Sequence, residues 1–125
     1  MADNAANLIA AFDFNGNPKA AFGVNTPQPF DSVSISMPSG LAVHSGVLYV
    51  AAFTGEINRV DLSDGSSQAW VSGKGLSVPI GMAVDPNGQL LAADWGVSKI
   101  FKVDPLNPPD PNDPDDLIPV FVVTS

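Results

Sequence analysis

Few side chains in this sequence are suited to chemistry, and they fall into separate groups. The single histidine, His44, is the one candidate general base of its type. Nucleophilic catalysis needs a hydroxyl or thiol, a base and an orienting acid that converge, and no such set lies beside His44. Asp85 and Asp94 are carboxylates at the ends of apolar segments. Such groups serve either as ligands in a shared site or as acceptors for backbone amides in tight turns. Asp110, Asn112, Asp113, Asp115 and Asp116 place oxygen donors within a few residues of one another, and Ca²⁺ takes 6–8 oxygen ligands. They are the candidate calcium ligands, yet the stretch has neither the turn glycine nor the terminal glutamate of a calcium loop. Pro105, Pro108, Pro109, Pro111 and Pro114 stiffen it into an extended chain. A solvated spacer is the expectation, with no cofactor. Trp95 follows Asp94 and is a candidate anchor for a ligand or a neighbouring subunit.

Composition narrows the class further. The chain has 125 residues, room for one domain. Charged residues make up 14% of it, against about 25% in ordinary soluble domains, so much of the surface is either uncharged or covered by a partner. Thirteen acidic against five basic residues give a net charge of −8, the wrong sign for nucleic acid or an anionic membrane. There is no cysteine, which excludes disulfides, thiolate metal sites and cysteine nucleophiles. Met1 to Asn7 lacks the basic and apolar segments of a secretory signal, and no apolar run approaches the roughly 20 residues of a membrane helix. Membrane insertion is not expected. A cytoplasmic location is the default, with extracellular assembly left open.

The elements that must position these residues are revealed by a repeat. Ser36–His44 aligns with Ser77–Asp85 at an offset of 41 residues, and eight of the twenty positions from 36 to 55 are identical to their counterparts. Extended without a gap, this alignment sets Asp94 against Phe53 and Trp95 against Thr54. A second signature occurs three times: Ile9–Asp13, Ile57–Asp61 and Ile100–Asp104 each read Ile, two variable residues, an apolar residue and Asp. Phe22 and Trp70 stand nine positions after the first two of these Asp residues. Phe121 stands in the same place of the third copy once the Asp- and Pro-rich insertion is allowed for, and recurrence of this kind suits packing between stacked units. Short apolar runs separated by turns such as Asp85-Pro86-Asn87-Gly88 and Phe14-Asn15-Gly16-Asn17 predict strands, with no helical period anywhere. Near-continuous apolar strands imply burial on both faces.

Four strands per ~40-residue unit is the arithmetic of a β-propeller blade. Pro79 to Asp104, with its Pro-x-Gly-hydrophobic-Ala-Val-Asp, Asn-Gly, Ala-Asp and Lys-Ile-x-Lys-Val-Asp segments, resembles the NHL repeat, and Pro38 to Asp61 is a weaker copy with His44 in place of the first Asp. The expected fold is all-β, with propeller-like blades of four antiparallel strands, here lettered a to d from the inside out, incomplete in one chain. The expected organisation is a polar lead over 1–7, a half blade of strands c and d over 8–23, a linker over 24–37, a complete blade over 38–73, and a second complete blade over 74–125 whose insertion spans 104–116.

About two and a half blades cannot close a ring that needs roughly 4 to 8. The expected function is therefore that of a non-catalytic structural or binding module that self-assembles into a ring or filament of identical subunits, with Ile9, Phe12, Phe14 and Phe22 of the half blade at the assembly contact. A protein or small-molecule ligand would meet Trp95, Asp94, His44 and Asp85. The resemblance implies one rival, an oligomeric lactonase-like hydrolase or isomerase whose subunits share a channel metal. A fragment of a larger propeller is the other.

Overall fold

Every regular element among the described residues is a strand, in keeping with the β-branched, aromatic and alanine-rich runs that turn residues interrupt. The structure is a computed structural model and describes residues 2–3, 8–10, 15, 32–62, 66–72, 75–106 and 119–122. Strands β1 (Ala2–Asp3), β2 (Leu8–Ala10) and β3 (Ser32–Ser34) form a three-stranded antiparallel sheet in that order. Strands β4 (Pro38–His44), β5 (Val47–Ala52), β6 (Glu56–Asp61) and β7 (Ser67–Ser72) form a four-stranded meander. A second meander follows, made of β8 (Pro79–Val84), β9 (Leu90–Asp94), β10 (Lys99–Val103) and β11 (Pro119–Val122). All pairings are antiparallel, and none of the three sheets closes on itself.

Burial explains the unbroken apolar run of β5. The middle sheet is covered on both faces. Tyr49, Ile57 and Val71 pack against Leu90, Ala92, Phe101 and Val103 of the last sheet. On the opposite face Leu48, Val50, Ala52 and Val60 form a second cluster with Ile35, against which Ala2 of the first sheet packs. In β9 burial alternates instead: Leu90, Ala92 and Asp94 are buried, while Leu91 and Ala93 between them are half-exposed. A strand covered on one face shows this period-2 pattern. Trp70 on β7 lies with its ring centroid 5.0 Å from that of Tyr49 in a tilted arrangement that suits aromatic pairs.

The sheets meet at their inner strands. A Cβ on Gly40 would stand 2.9 Å from the Ile80 carbonyl oxygen and 3.0 Å from Gly81 Cα and Met82 N. Only glycine permits β4 and β8 to approach backbone to backbone. The neighbouring Ser39 hydroxyl lies 3.0 Å from the Ala51 carbonyl and 2.9 Å from the Pro79 carbonyl, joining the two sheets. Gly81, the counterpart of Gly40, has only the Ala93 Cβ, at 3.9 Å, near its own would-be side chain.

Strand register corrects the ungapped alignment. Leu41 pairs with Val50, and its counterpart Met82 pairs with Ala92, so an offset of 41 on the first strand becomes 42 on the second. Ala51 pairs with Ile57 and Ala93 with Ile100, so the third strand is offset by 43. Each step is one residue gained in a turn. His44 and Val47 flank a two-residue turn, Ser45-Gly46, in which both φ values are positive (49° and 75°), as suits the right-handed strand twist. Asp85 and Gln89 instead flank Pro86-Asn87-Gly88, with Gly88 at φ 80°. Asp94 is therefore the counterpart of Ala52, each pairing with the proline that opens the unit. Trp95 is the counterpart of Phe53, and both donate their amide N–H at 3.0 Å to the residue before that proline.

The same register redraws the first unit. Ile9 pairs with Val33, Ile57 with Val71 and Ile100 with Phe121, three equivalent pairs across strands c and d. The outer partner of β2 is Ser32–Ser34, inside the stretch expected to be a linker, and β1, inside the expected lead, takes its inner side. Both edges of β2 are thereby occupied, and residues 19–22, at the end of the expected half blade, lie outside the described residues. The aromatic spacing misled because Phe121 stands in register with Val71 rather than with Trp70. Phe12, Phe14 and Phe22 lie outside the described residues, and Ile9 is placed by its pairing alone.

Gly40→Ala is expected to destabilise the fold by about 1–3 kcal/mol, because rigid backbone must give way. Gly81→Ala is expected to be neutral or stabilising by up to ~1 kcal/mol, since its Cβ meets no backbone. Urea denaturation of the two variants side by side checks both.

Candidate functional site

β9 separates the sequence-selected carboxylates. Asp94 closes this strand opposite Pro79, where β8 begins, while Asp85 lies beyond the other end of β8. At ~3.3 Å per strand residue the two ends of β9 are on the order of 13 Å apart. One metal ion cannot bind both carboxylates of one chain. His44 sits at the Asp85 end of the stack, with its ring atoms Cε1 and Nε2 each 3.1 Å from where a Gly88 Cβ would stand. Trp95 sits at the Asp94 end and is 75% exposed. The structure thus brings His44 and the Asp85 loop to one end and places Asp94 and Trp95 at the other. Asp110, Asn112, Asp113, Asp115 and Asp116 lie outside the described residues. Among those described, no three metal-ligating side chains cluster.

The Asp94 carboxylate is buried, 2% exposed, and accepts four backbone amides. Oδ2 accepts from Ser77 N–H at 2.7 Å, and Oδ1 from Val78, Gly96 and Val97 N–H at 2.9, 2.9 and 3.3 Å. Two of these amides precede β8 and two lie in the turn after β9, so one side chain ties the entry of the first strand to the exit of the second. Buried backbone donors need acceptors, and a carboxylate with two oxygens can serve several at once. Asp94 is held inside the fold by this role. Trp95, immediately after it, projects from the turn.

Asp85 organises the opposite turn. Its Oδ1 accepts from Asn87 N–H at 2.8 Å and Gln89 N–H at 3.0 Å, while Lys102 Nζ lies 3.7 Å from Oδ2. The Gln89 amide leads in holding this carboxyl below its ordinary value of 3.8, assisted by the Asn87 amide and Lys102 and opposed by partial burial.

Under the corrected register Arg59 is the counterpart of Lys102, as His44 is of Asp85. Where the last sheet has an Asp–Lys pair on its outward face, the middle sheet has His44 and Arg59 at the rim of its contact with the last sheet. A cleft of about 350 Å³ opens there between the two meanders, lined by His44, Ser45, Val47, Tyr49 and Arg59 on one side and Asn87, Gly88, Asp104, Pro105 and Leu106 on the other. A second cleft, of about 330 Å³, runs along Arg59, Asp61, Ser66, Ser67 and Gln68. Arg59 borders both. Sequence reasoning missed Arg59, Asn87 and Asp104. The signal available was the recurrence of a cation two positions before the Asp in two of the three Ile-to-Asp motifs, Arg59 before Asp61 and Lys102 before Asp104.

No protein-family model matches the sequence, and no curated protein is significantly similar to it.

Asp94→Ala should leave buried amides unpaired and lower stability by about 1–3 kcal/mol, with Asp94→Asn intermediate because one oxygen still accepts; chemical denaturation of both variants measures this. For Asp85 the sign follows from its depressed pKa: the ionised carboxylate favours the folded state above the ordinary value, and that advantage is lost as pH falls through the folded value. The melting-temperature difference between wild type and Asp85→Asn should be full at about pH 6 and shrink below about pH 4. A difference that stays constant down to acid would show that the charge has no part in stability.

Proposed function

We propose that this chain is a propeller-type structural module, built from NHL-like units, that acts through self-assembly rather than catalysis. The observation that carries the reading is the contrast between equivalent sheet faces. On the middle sheet Tyr49, Ala51 and Ile57 are 3%, 0% and 0% exposed beneath the last sheet. Their register counterparts on the last sheet, Leu91, Ala93 and Ile100, are only half-buried. Apolar surface of this kind is stabilised when covered, at roughly 25 cal/mol per Å². The three equivalent Ile pairings and the inner-strand glycines support a repeated blade, and the Pro-x-Gly and Ile-x-x-hydrophobic-Asp segments support the NHL likeness. Asp85 and Asp94 fit a structural module as well, since each fastens a turn of its own sheet.

Whether identical units close into a ring or run on as a filament depends on the rotation between copies. Light scattering of the purified chain tests the reading. The expected result is a defined multiple of 12.9 kDa or a polydisperse polymer at micromolar concentration. A folded 12.9 kDa monomer under the same conditions would sink it.

A further inference from the structure

The sheets of this chain have two kinds of face. The outward kind carries Tyr49, Ala51 and Ile57 on the middle sheet, and it meets the inward kind, carrying Leu90, Ala92, Phe101 and Val103, on the next sheet along the chain. The same order holds one step earlier, where the middle sheet turns Leu48, Val50 and Val60 towards the cluster that Ala2 of the first sheet joins. Each sheet thus presents its outward face to the inward face of its successor. The last sheet has an outward face, built of Leu91, Ala93 and Ile100, with no successor among the described residues. The inward faces of the middle and last sheets are already covered within the chain.

We infer that the outward face of the last sheet, at Leu91, Ala93 and Ile100, seats the three-stranded first sheet of a second copy, so that copies join head to tail. The inference rests on the self-assembly reading and adds the surface and the polarity. The partner is a second copy because this contact continues the stacking order already present within the chain, and because, with the inward faces of the middle and last sheets covered, the first sheet is the described sheet that remains to receive it. An isologous contact between two last sheets would oppose two outward faces, a pairing not found among the described sheets. The open face is suited to being covered. Gly81 leaves the inner strand bare at that position, and the Asp85–Lys102 pair stands at one end, where a charged rim can remain wet. The corresponding end of the internal contact carries His44 and Arg59 at the rim of its cleft.

The test uses the full chain with Ala93→Arg, alone and mixed with wild type, in sedimentation velocity at micromolar concentration, with circular dichroism as the check on folding. Head-to-tail joining predicts that the variant alone stays monomeric and that, in the mixture, it adds to the free last sheet of wild type and shortens the assemblies in proportion to its share. A variant that assembles as wild type does would remove the face from the contact. A variant that stays monomeric and leaves wild-type assemblies unaltered would overturn the polarity, because an isologous contact would exclude it. If wild type itself is monomeric, the self-assembly reading falls and this inference with it. Should Ala93→Arg fail to fold, Ala93→Cys provides an independent readout in a chain that has no other cysteine. Its reaction with a maleimide is expected to be at least tenfold slower in the assembled protein than after dilution to monomer, and equal rates while assembly persists would overturn the proposal.

Discussion

The approach of β4 to β8 at Gly40 is the contact on which the remaining packing depends. Two backbones separated by the space of a missing Cβ fix the distance between the inner strands of the meanders, and the outer strands follow from the sheet geometry. The Ser39 hydroxyl bridges the same gap by lying between a carbonyl of each sheet. With the inner strands held there, Tyr49 and Ile57 come onto Leu90, Ala92 and Phe101 in one buried cluster. The requirement at Gly40 is steric; its counterpart Gly81 has, among the described residues, only the Ala93 Cβ nearby.

Asp94 solves a related problem at the end of the last sheet. The middle sheet has Ala52 at this place, and its Phe53 amide binds the Met37 carbonyl. The last sheet makes the same bond from Trp95 to Val78 and adds the carboxylate, which collects four further amides. Its turn is one residue longer, from Trp95 to Ser98, and carries Ser98 at a positive φ of 54°. A longer turn exposes more backbone donors, and the buried acid accepts those at Gly96 and Val97. The Ala-Asp pair that ends this strand thus has a mechanical role: the Asp holds a turn closed.

Strand content, the four-strand unit and the recurring inner glycine were legible in the residues because each is a local demand of turn chemistry or sterics. The Ile-x-x-hydrophobic-Asp signature was equally legible and marks the third strand of the last two units and the centre of the first sheet. What sequence spacing could not show was where single residues enter. Ser45-Gly46 and Pro86-Asn87-Gly88 are both sound turns, and an ungapped alignment treats them as equal. One added residue in a strand pair exchanges the faces of the sheet, which is how Asp94 came to be compared with Phe53 instead of Ala52. The outer strand of the first unit was hidden for a different reason. Ser32-Val33-Ser34 has little apolar surface to announce it, and an aromatic at the expected spacing drew attention to Phe22.

The corrected register also gives the distribution of polar groups a single logic. On β9 and β10 the middle of each face is apolar, through Leu90, Ala92, Phe101 and Val103 on one side and Leu91, Ala93 and Ile100 on the other. Asp85, Lys102, His44 and Arg59 stand at one end of the stack and Asp94 at the opposite end. Among the described sheets, charge is moved to the rims while the stacking surfaces stay free of it, so an overall charge of −8 need not oppose contact between the sheets. Selective chemistry between sheets is then confined to the rims. Of these, the end with His44 and Arg59 has an open cleft lined by the Arg59 cation, whereas at the Asp94 end the carboxylate is buried and engaged by four backbone amides.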